Sequence, residues 1–207
     1  LIGSWVKGGI RRARSRSKQN PAIEFDIKEQ YVGLERGGIT FLREEATLEA
    51  EFVIDLLARV FISNQGPATS VAFFVAAIDP NCLKDGVTVK ELKVTVEHQL
   101  DPHHSPTPHD NPYYLKPDEM NSSLQIRVKI PFSLSKIESR FGSLSSLKVI
   151  KFTLGAEQTG RKPILRSKSC DLTEIHHNIE EEITTNVQHI QSQQLTAKQV
   201  LQVLKRY

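Results

Sequence analysis

The densest run of residues with a shared chemistry is Arg11-Arg12-Ala13-Arg14-Ser15-Arg16-Ser17-Lys18. Together with Lys7 it makes six cations and no acid between positions 7 and 18. Guanidinium and ammonium groups at this spacing neutralise phosphates and release condensed counterions, which gives salt-dependent, sequence-blind binding of a polyanion. A solvated tail or a nuclear-import signal has the same composition. A second basic cluster, Arg161, Lys162, Arg166 and Lys168, would extend the same field. His103, His104 and His109 with Asp101 and Asp110 are metal-ligand types, but they lie on a segment punctuated by prolines at 102, 106, 108, 112 and 117. Such a segment offers neither the fixed scaffold nor the outer partners that ligands need, so a solvated loop is expected, with no metal and no cofactor. Tyr113 and Tyr114 on the same stretch are candidates for stacking on bases or for packing at the return to a sheet. P-loop, GxSxG, HExxH and GxGxxG patterns are absent from the sequence, and a non-enzymatic role is expected.

The elements that must carry these residues are bounded by composition. The chain has 207 residues, of which 39% are apolar and 25% charged, with a formal net charge of +3. That is room for one sizeable domain with appendages, and enough apolar residues for a core. The longest apolar run, 70–78, ends at Asp79, well short of the ~18 residues of a membrane-spanning helix. Cys82 and Cys170 are far apart with no CxxC spacing, so neither a disulfide framework nor a zinc ribbon is indicated, and a reducing compartment is expected. No secretory leader is expected at the start of the chain, which begins at Leu1.

From position 22 onward apolar residues alternate with polar ones, and Gly, Pro, Asn and Asp separate the segments. This predicts a mainly β, antiparallel sandwich of jelly-roll or Greek-key kind over 22–168, preceded by a basic arm (1–21) and interrupted by the Pro/His-rich loop 101–123. Strands are expected near 23–27, 39–42, 53–62, 71–78, 87–89, 92–96, 124–132 and 147–154. The runs 53–62 and 71–78 flank Asn64-Gln65-Gly66-Pro67, which reads as a hairpin turn. Ser133–Phe141 is the one internal helix expected, capped by Ser133 or Ser135. In the last segment (169–207), Asp171 and Glu174 have capping-box spacing. Ile175, Ile179, Ile183, Val187, Ile190, Leu201 and Leu204 then form a seam on a helix of ~50 Å if unbroken. Self-association as a coiled coil is expected of that seam, against the alternative that it folds back on the domain.

The stretch Arg59-Val-Phe-Ile-Ser-Asn-Gln-Gly-Pro-Ala-Thr-Ser-Val-Ala-Phe-Phe-Val-Ala-Ala-Ile-Asp79-Pro80-Asn81 resembles the core signature of the plant-virus 30K movement protein superfamily. In that family an apolar strand, a turn with Gly or Pro, here at Gly66, and a second apolar strand end at an aspartate, here Asp79, and the context Ile78-Asp79-Pro80-Asn81 matches the family's. The resemblance implies cell-to-cell transport of a viral genome through plasmodesmata, with or without tubules. The implied partners are single-stranded nucleic acid (RNA ahead of DNA), the chain itself as a homo-oligomer, viral coat protein, and host plasmodesmal or membrane proteins. The implied location is plasmodesma and cytoplasm, with peripheral membrane contact. Read from its position alone, Asp79 should accept backbone N–H bonds and hold the turn. The alternative is a viral matrix or capsid-type sandwich that binds nucleic acid through its arm. A third reading is a cellular β-sandwich adaptor with a coiled-coil tail.

Overall fold

Alternation of period two persists through most of the chain, and it forms ten strands in the computed structural model, which describes residues 23–35, 40–44, 47–98, 107–181 and 184–185. The strands are β1 (Ile23–Leu34), β2 (Thr40–Glu44), β3 (Thr47–Asn64), β4 (Thr69–Asp79), β5 (Val94–His98), β6 (Thr107–His109), β7 (Tyr113–Leu115), β8 (Ser122–Ser133), β9 (Val149–Gln158) and β10 (Ile164–Asp171). Helix α1 (Leu134–Phe141) follows β8, and a helix here called α2 begins at residue 173 and is described to 181 and at 184–185. All strand pairs are antiparallel. One sheet has the order β1-β3-β8-β5-β6 with β2 on β3, and the other has the order β10-β9-β4-β7.

The core lies between the inward faces. On β1, buried Ile23, Phe25 and Ile27 alternate with exposed Glu24, Asp26 and Lys28. Phe52, Ile54, Leu56, Val60 and Ile62 of β3 and Leu124, Ile126, Val128, Ile130 and Phe132 of β8 line the same side. Val71, Phe73, Val75, Phe152 and Leu154 come from the other sheet, and the Phe25 and Phe73 rings meet at 5.8 Å. Each such side chain contributes about 1.5–3 kcal/mol by leaving water.

Several expectations are corrected by this topology. The runs around Asn64–Pro67 do not form a hairpin, because β3 belongs to the five-strand path and β4 to the four-stranded sheet. Asn64, fully buried, forces the exit. Its Nδ2 donates to the carbonyls of Pro67 and Lys116, both at 2.9 Å, while its Oδ1 accepts from Gly66 N at 3.1 Å. With those backbone groups satisfied by a side chain, the chain can leave its sheet without orphaned donors. On β4 a bulge between Val75 and Ala77 turns Ala76 and Ala77 outward, and both are exposed.

The segment 87–89 is not a strand, and a single 3-10 turn, Val89–Glu91, occupies its end. The prolines of 101–123 do not exclude strand either. Pro108 sits in β6, a three-residue edge strand opposite Glu97, where a missing N–H is tolerated. β10, which the basic cluster obscured in the sequence, crosses the expected boundary at 168 and pairs along its whole length with β9. Ser133 caps α1 as expected, accepting from Lys136 N, and Gly142 at φ 82° ends it. At the last segment Asp171 does not form a capping box with Glu174. It accepts from Thr173 N at 2.8 Å and from Thr173 Oγ1 at 2.5 Å, one residue earlier than the spacing implied.

Candidate functional site: the signature turn and the basic clusters

Residues 59–81 make one full excursion between the sheets. The chain leaves the larger sheet at Asn64, runs along β4, and returns after Asp79, where Leu83 bridges Phe132 of β8 and Lys84 N donates to Pro131 O at 3.0 Å. Gly66 and Asp79 therefore lie at opposite ends of the molecule, separated by β4, ~33 Å at ~3.3 Å per residue. The structure does not bring them into one site.

Asp79 does not hold its turn. Its carboxylate is exposed and has no hydrogen bond among the described residues. The return is held by other groups: Cys82 N donates to Pro80 O at 3.1 Å, and Leu83 N donates to Asn81 Oδ1 at 3.4 Å. The chain around it is anchored by Lys136, whose Nζ donates to Leu83 O at 2.7 Å and pairs with Asp85 at 2.6 Å. Cys82 is buried beside Arg140 and Lys136, and burial pushes its thiol up despite those cations. A strand that is apolar at 71, 73, 75 and 78 thus ends in an unbonded, solvent-facing carboxylate.

The basic residues divide into three groups. Lys7, Arg11, Arg12, Arg14, Arg16 and Lys18 lie outside the described residues. Arg161 and Lys162 sit at the turn between β9 and β10, at the Gly66 end of the small sheet, with Lys162 exposed. Arg166 and Lys168 lie on β10 with inward parity, in register with Leu154 and Phe152, and at the sheet edge they reach toward β1. Arg166 lines an open cleft of ≈ 560 Å³ with Glu24, Asp26 and Lys28. The Asp26 carboxyl is held below its ordinary range chiefly by the 2.8 Å hydrogen bond from Lys28, with the charge of Lys168 a minor contributor. Arg166 is exposed, with its Nη1 donating to Leu165 O at 3.0 Å, so Arg166 and Lys168 lie in a seam of mixed charge between the sheet edges and not in a purely cationic patch.

The helical seam divides too. Ile175 and Ile179 are buried in the core, and His176 Nε2 donates to Leu147 O at 2.8 Å. α2 begins by folding back on the domain, so these two isoleucines are unavailable for self-association. Ile183, Val187, Ile190, Leu201 and Leu204 lie outside the described residues.

A cluster that sequence reasoning missed joins the Pro/His stretch to the sheet. The His109 ring stands 5.8 Å from that of His98 and 5.3 Å edge-on from Tyr113. His98 carried no signal in the sequence, because its neighbour is supplied by β5–β6 pairing. Among the described residues no group of three or more His, Cys, Asp or Glu is placed to hold a metal ion, and no helix among them is long and apolar enough to cross a membrane.

The geometry defines an antiparallel, two-sheet β protein. No family model matches the chain, and no curated protein matches it. Among solved structures it is similar to the GAE domain of yeast GGA1, at 16% identity and a TM-score of 0.26, over 75% of this chain and 96% of that one. It is also similar to a protein from Archaeoglobus fulgidus, at 12% identity and a TM-score of 0.27, over 70% of this chain and 97% of that one. At those scores neither likeness decides the function.

Proposed function

We propose that this chain is a viral cell-to-cell movement protein of the 30K type, which binds single-stranded nucleic acid without sequence preference and carries a genome through plasmodesmata. The observation that carries the proposal is Asp79, an exposed and unbonded carboxylate closing a strand whose inward residues are buried, in the sequence context Ile78-Asp79-Pro80-Asn81. A carboxylate without a structural role in its own turn is free to engage a partner. The basic run at 11–18 and the Arg161–Lys162 turn supply phosphate-binding groups. Within the fold, we assign the Greek-key alternative over the jelly roll. With β2, β6 and β7 set aside as additions, the remaining seven strands follow the order 1-2-5-4 against 7-6-3 of immunoglobulin-type sandwiches.

That strand order favours one second reading, a β-sandwich adaptor, since immunoglobulin-type sandwiches recur as binding modules; the inference is fold-level analogy. Expression of the Asp79→Asn variant as a fluorescent fusion in leaf epidermis separates the readings. The wild-type fusion should label cell walls in foci and spread to neighbouring cells. The variant should keep its fold and melting temperature and lose spread. Normal movement of Asp79→Asn, or a wild-type fusion that never leaves the transformed cell, would overturn the proposal. Closed shells or sheets in place of foci would favour the matrix or capsid alternative.

A further inference from the structure

The outward faces of the two sheets differ in how their charges are settled. On the larger sheet they pair within the chain: Arg59 with Glu29, Arg127 with Asp55 and Glu97, and Lys129 with Glu35. On the smaller sheet the centre is apolar or small. Phe74 lies over Gly155, where an added Cβ would meet the ring at 2.2 Å. Leu165, opposite Gly155 on the other flank, is 47% exposed. The bulge presents Ala76 and Ala77 beside them. Two charges, Lys151 and Glu157, stand exposed at opposite ends of the outward side of β9, and neither has an ion pair among the described residues.

We propose that this face binds a second copy of the chain, sheet to sheet, about a two-fold axis that lies in the interface and crosses β9 at Leu154. That axis exchanges each position on β9 with the one equally far on the other side of Leu154. Lys151 then faces Glu157 of the second copy, and Thr153 faces Gly155. Cross-strand register extends the match to both neighbours. Phe74, opposite Gly155, lands on Ala77, which is opposite Thr153. Leu165, opposite Gly155, lands on Ser167, which is opposite Thr153. Each bulky side chain meets a small one, and the two β9 charges meet their opposites, twice per dimer because the contact is isologous; Asp79, opposite Lys151 on β4, lands on Ala72, which is opposite Glu157. An axis laid along β9 instead would set Lys151 on Lys151 and the bulky Phe74 on the bulky Leu165. Aligned sheets pack about 10 Å apart with interdigitating side chains, a separation that Lys and Glu can bridge. The proposal does not require nucleic-acid binding, and because Asp79 lies beside Lys151 on this face its test uses substitutions at other positions.

Sedimentation equilibrium of the full chain across a concentration series tests it, with Lys151→Glu, Glu157→Lys and the double variant K151E/E157K. The wild type should dimerise reversibly, and each single reversal should weaken the dimer by about tenfold or more by setting like charges together. The double reversal should restore it to near wild-type strength. Leu165→Asp should abolish it without any charge partner. All three positions of change are exposed, so thermal melts of the variants should match the wild type and separate lost pairing from lost folding. A chain that stays monomeric at every concentration would overturn the proposal. So would an assembly indifferent to both single reversals, or a double reversal that fails to restore the dimer.

Discussion

At the residue scale, buried polar groups and close approaches decide more than the exposed charges do. Asn64 makes three hydrogen bonds from a fully buried position. Asn64→Ala would leave two carbonyls and an N–H without partners, so it should lower stability by about 2–5 kcal/mol, read as a shift in urea midpoint at unchanged slope. Gly155 is needed because the Phe74 ring occupies the space of a side chain. Gly155→Ala should cost about 1–3 kcal/mol, and pairing it with Phe74→Ala should recover part of that loss, a non-additivity that a double-mutant cycle measures. Burial raises the Cys170 thiol to about 11. The folded state therefore favours the protonated thiol, and its contribution is fully present below the unfolded thiol pKa of ~8.5 and lost as pH rises toward the folded value. Stability should decline over that alkaline range, and Cys170→Ala should flatten the decline.

At the scale of elements, the most consequential feature is the pair of crossings that bracket β4. A hydrophobic run, a Gly/Pro turn and a second hydrophobic run are compatible with a hairpin or with a step between layers, since both bury one face of each strand. The choice is made by Asn64, whose amide replaces the backbone partners that a flat hairpin would supply. α2 was open in the same way. A seam of isoleucines at spacings of three and four serves a coiled coil or a fold-back equally well, and the pocket under Leu172 and Ile175 settles its first turns. Ile179→Ala should thus destabilise the domain by about 2–5 kcal/mol in thermal or chemical unfolding. Light scattering of the folded variant should show an unchanged assembly state, because that side chain is inside the core.

At the scale of the whole molecule, the small net charge conceals a deliberate separation. The large sheet neutralises its own charges, Arg166 and Lys168 lie along the β1–β10 edge near Glu24 and Asp26, and the Arg161–Lys162 turn stands at one end. Binding of single-stranded nucleic acid should therefore fall steeply with salt, and Arg161→Ala with Lys162→Ala should flatten the log–log slope by about 1.4. Arg166→Ala should change that slope far less. Fluorescence anisotropy of a labelled oligonucleotide over a salt series measures both. Equal effects from the two sites would show that the seam opens to phosphate.

The amino-acid order alone determined the class of structure, most strand positions and α1 with its Ser133 cap, because period-two burial and local capping depend only on near neighbours. It also marked Asp79 and the basic run as the residues with chemistry to offer. Only the tertiary structure decided which strands share a sheet, that β10 exists under a basic cluster, that Ile175 and Ile179 are core residues, and that the Asp79 carboxylate faces water. Those outcomes depend on partners far away in the chain: the carbonyl of Lys116 for Asn64, the β4 strand for β9 and the Leu147 carbonyl for His176. A local pattern says that a face must be buried; which distant face buries it is settled by packing and by the satisfaction of every buried polar group at once.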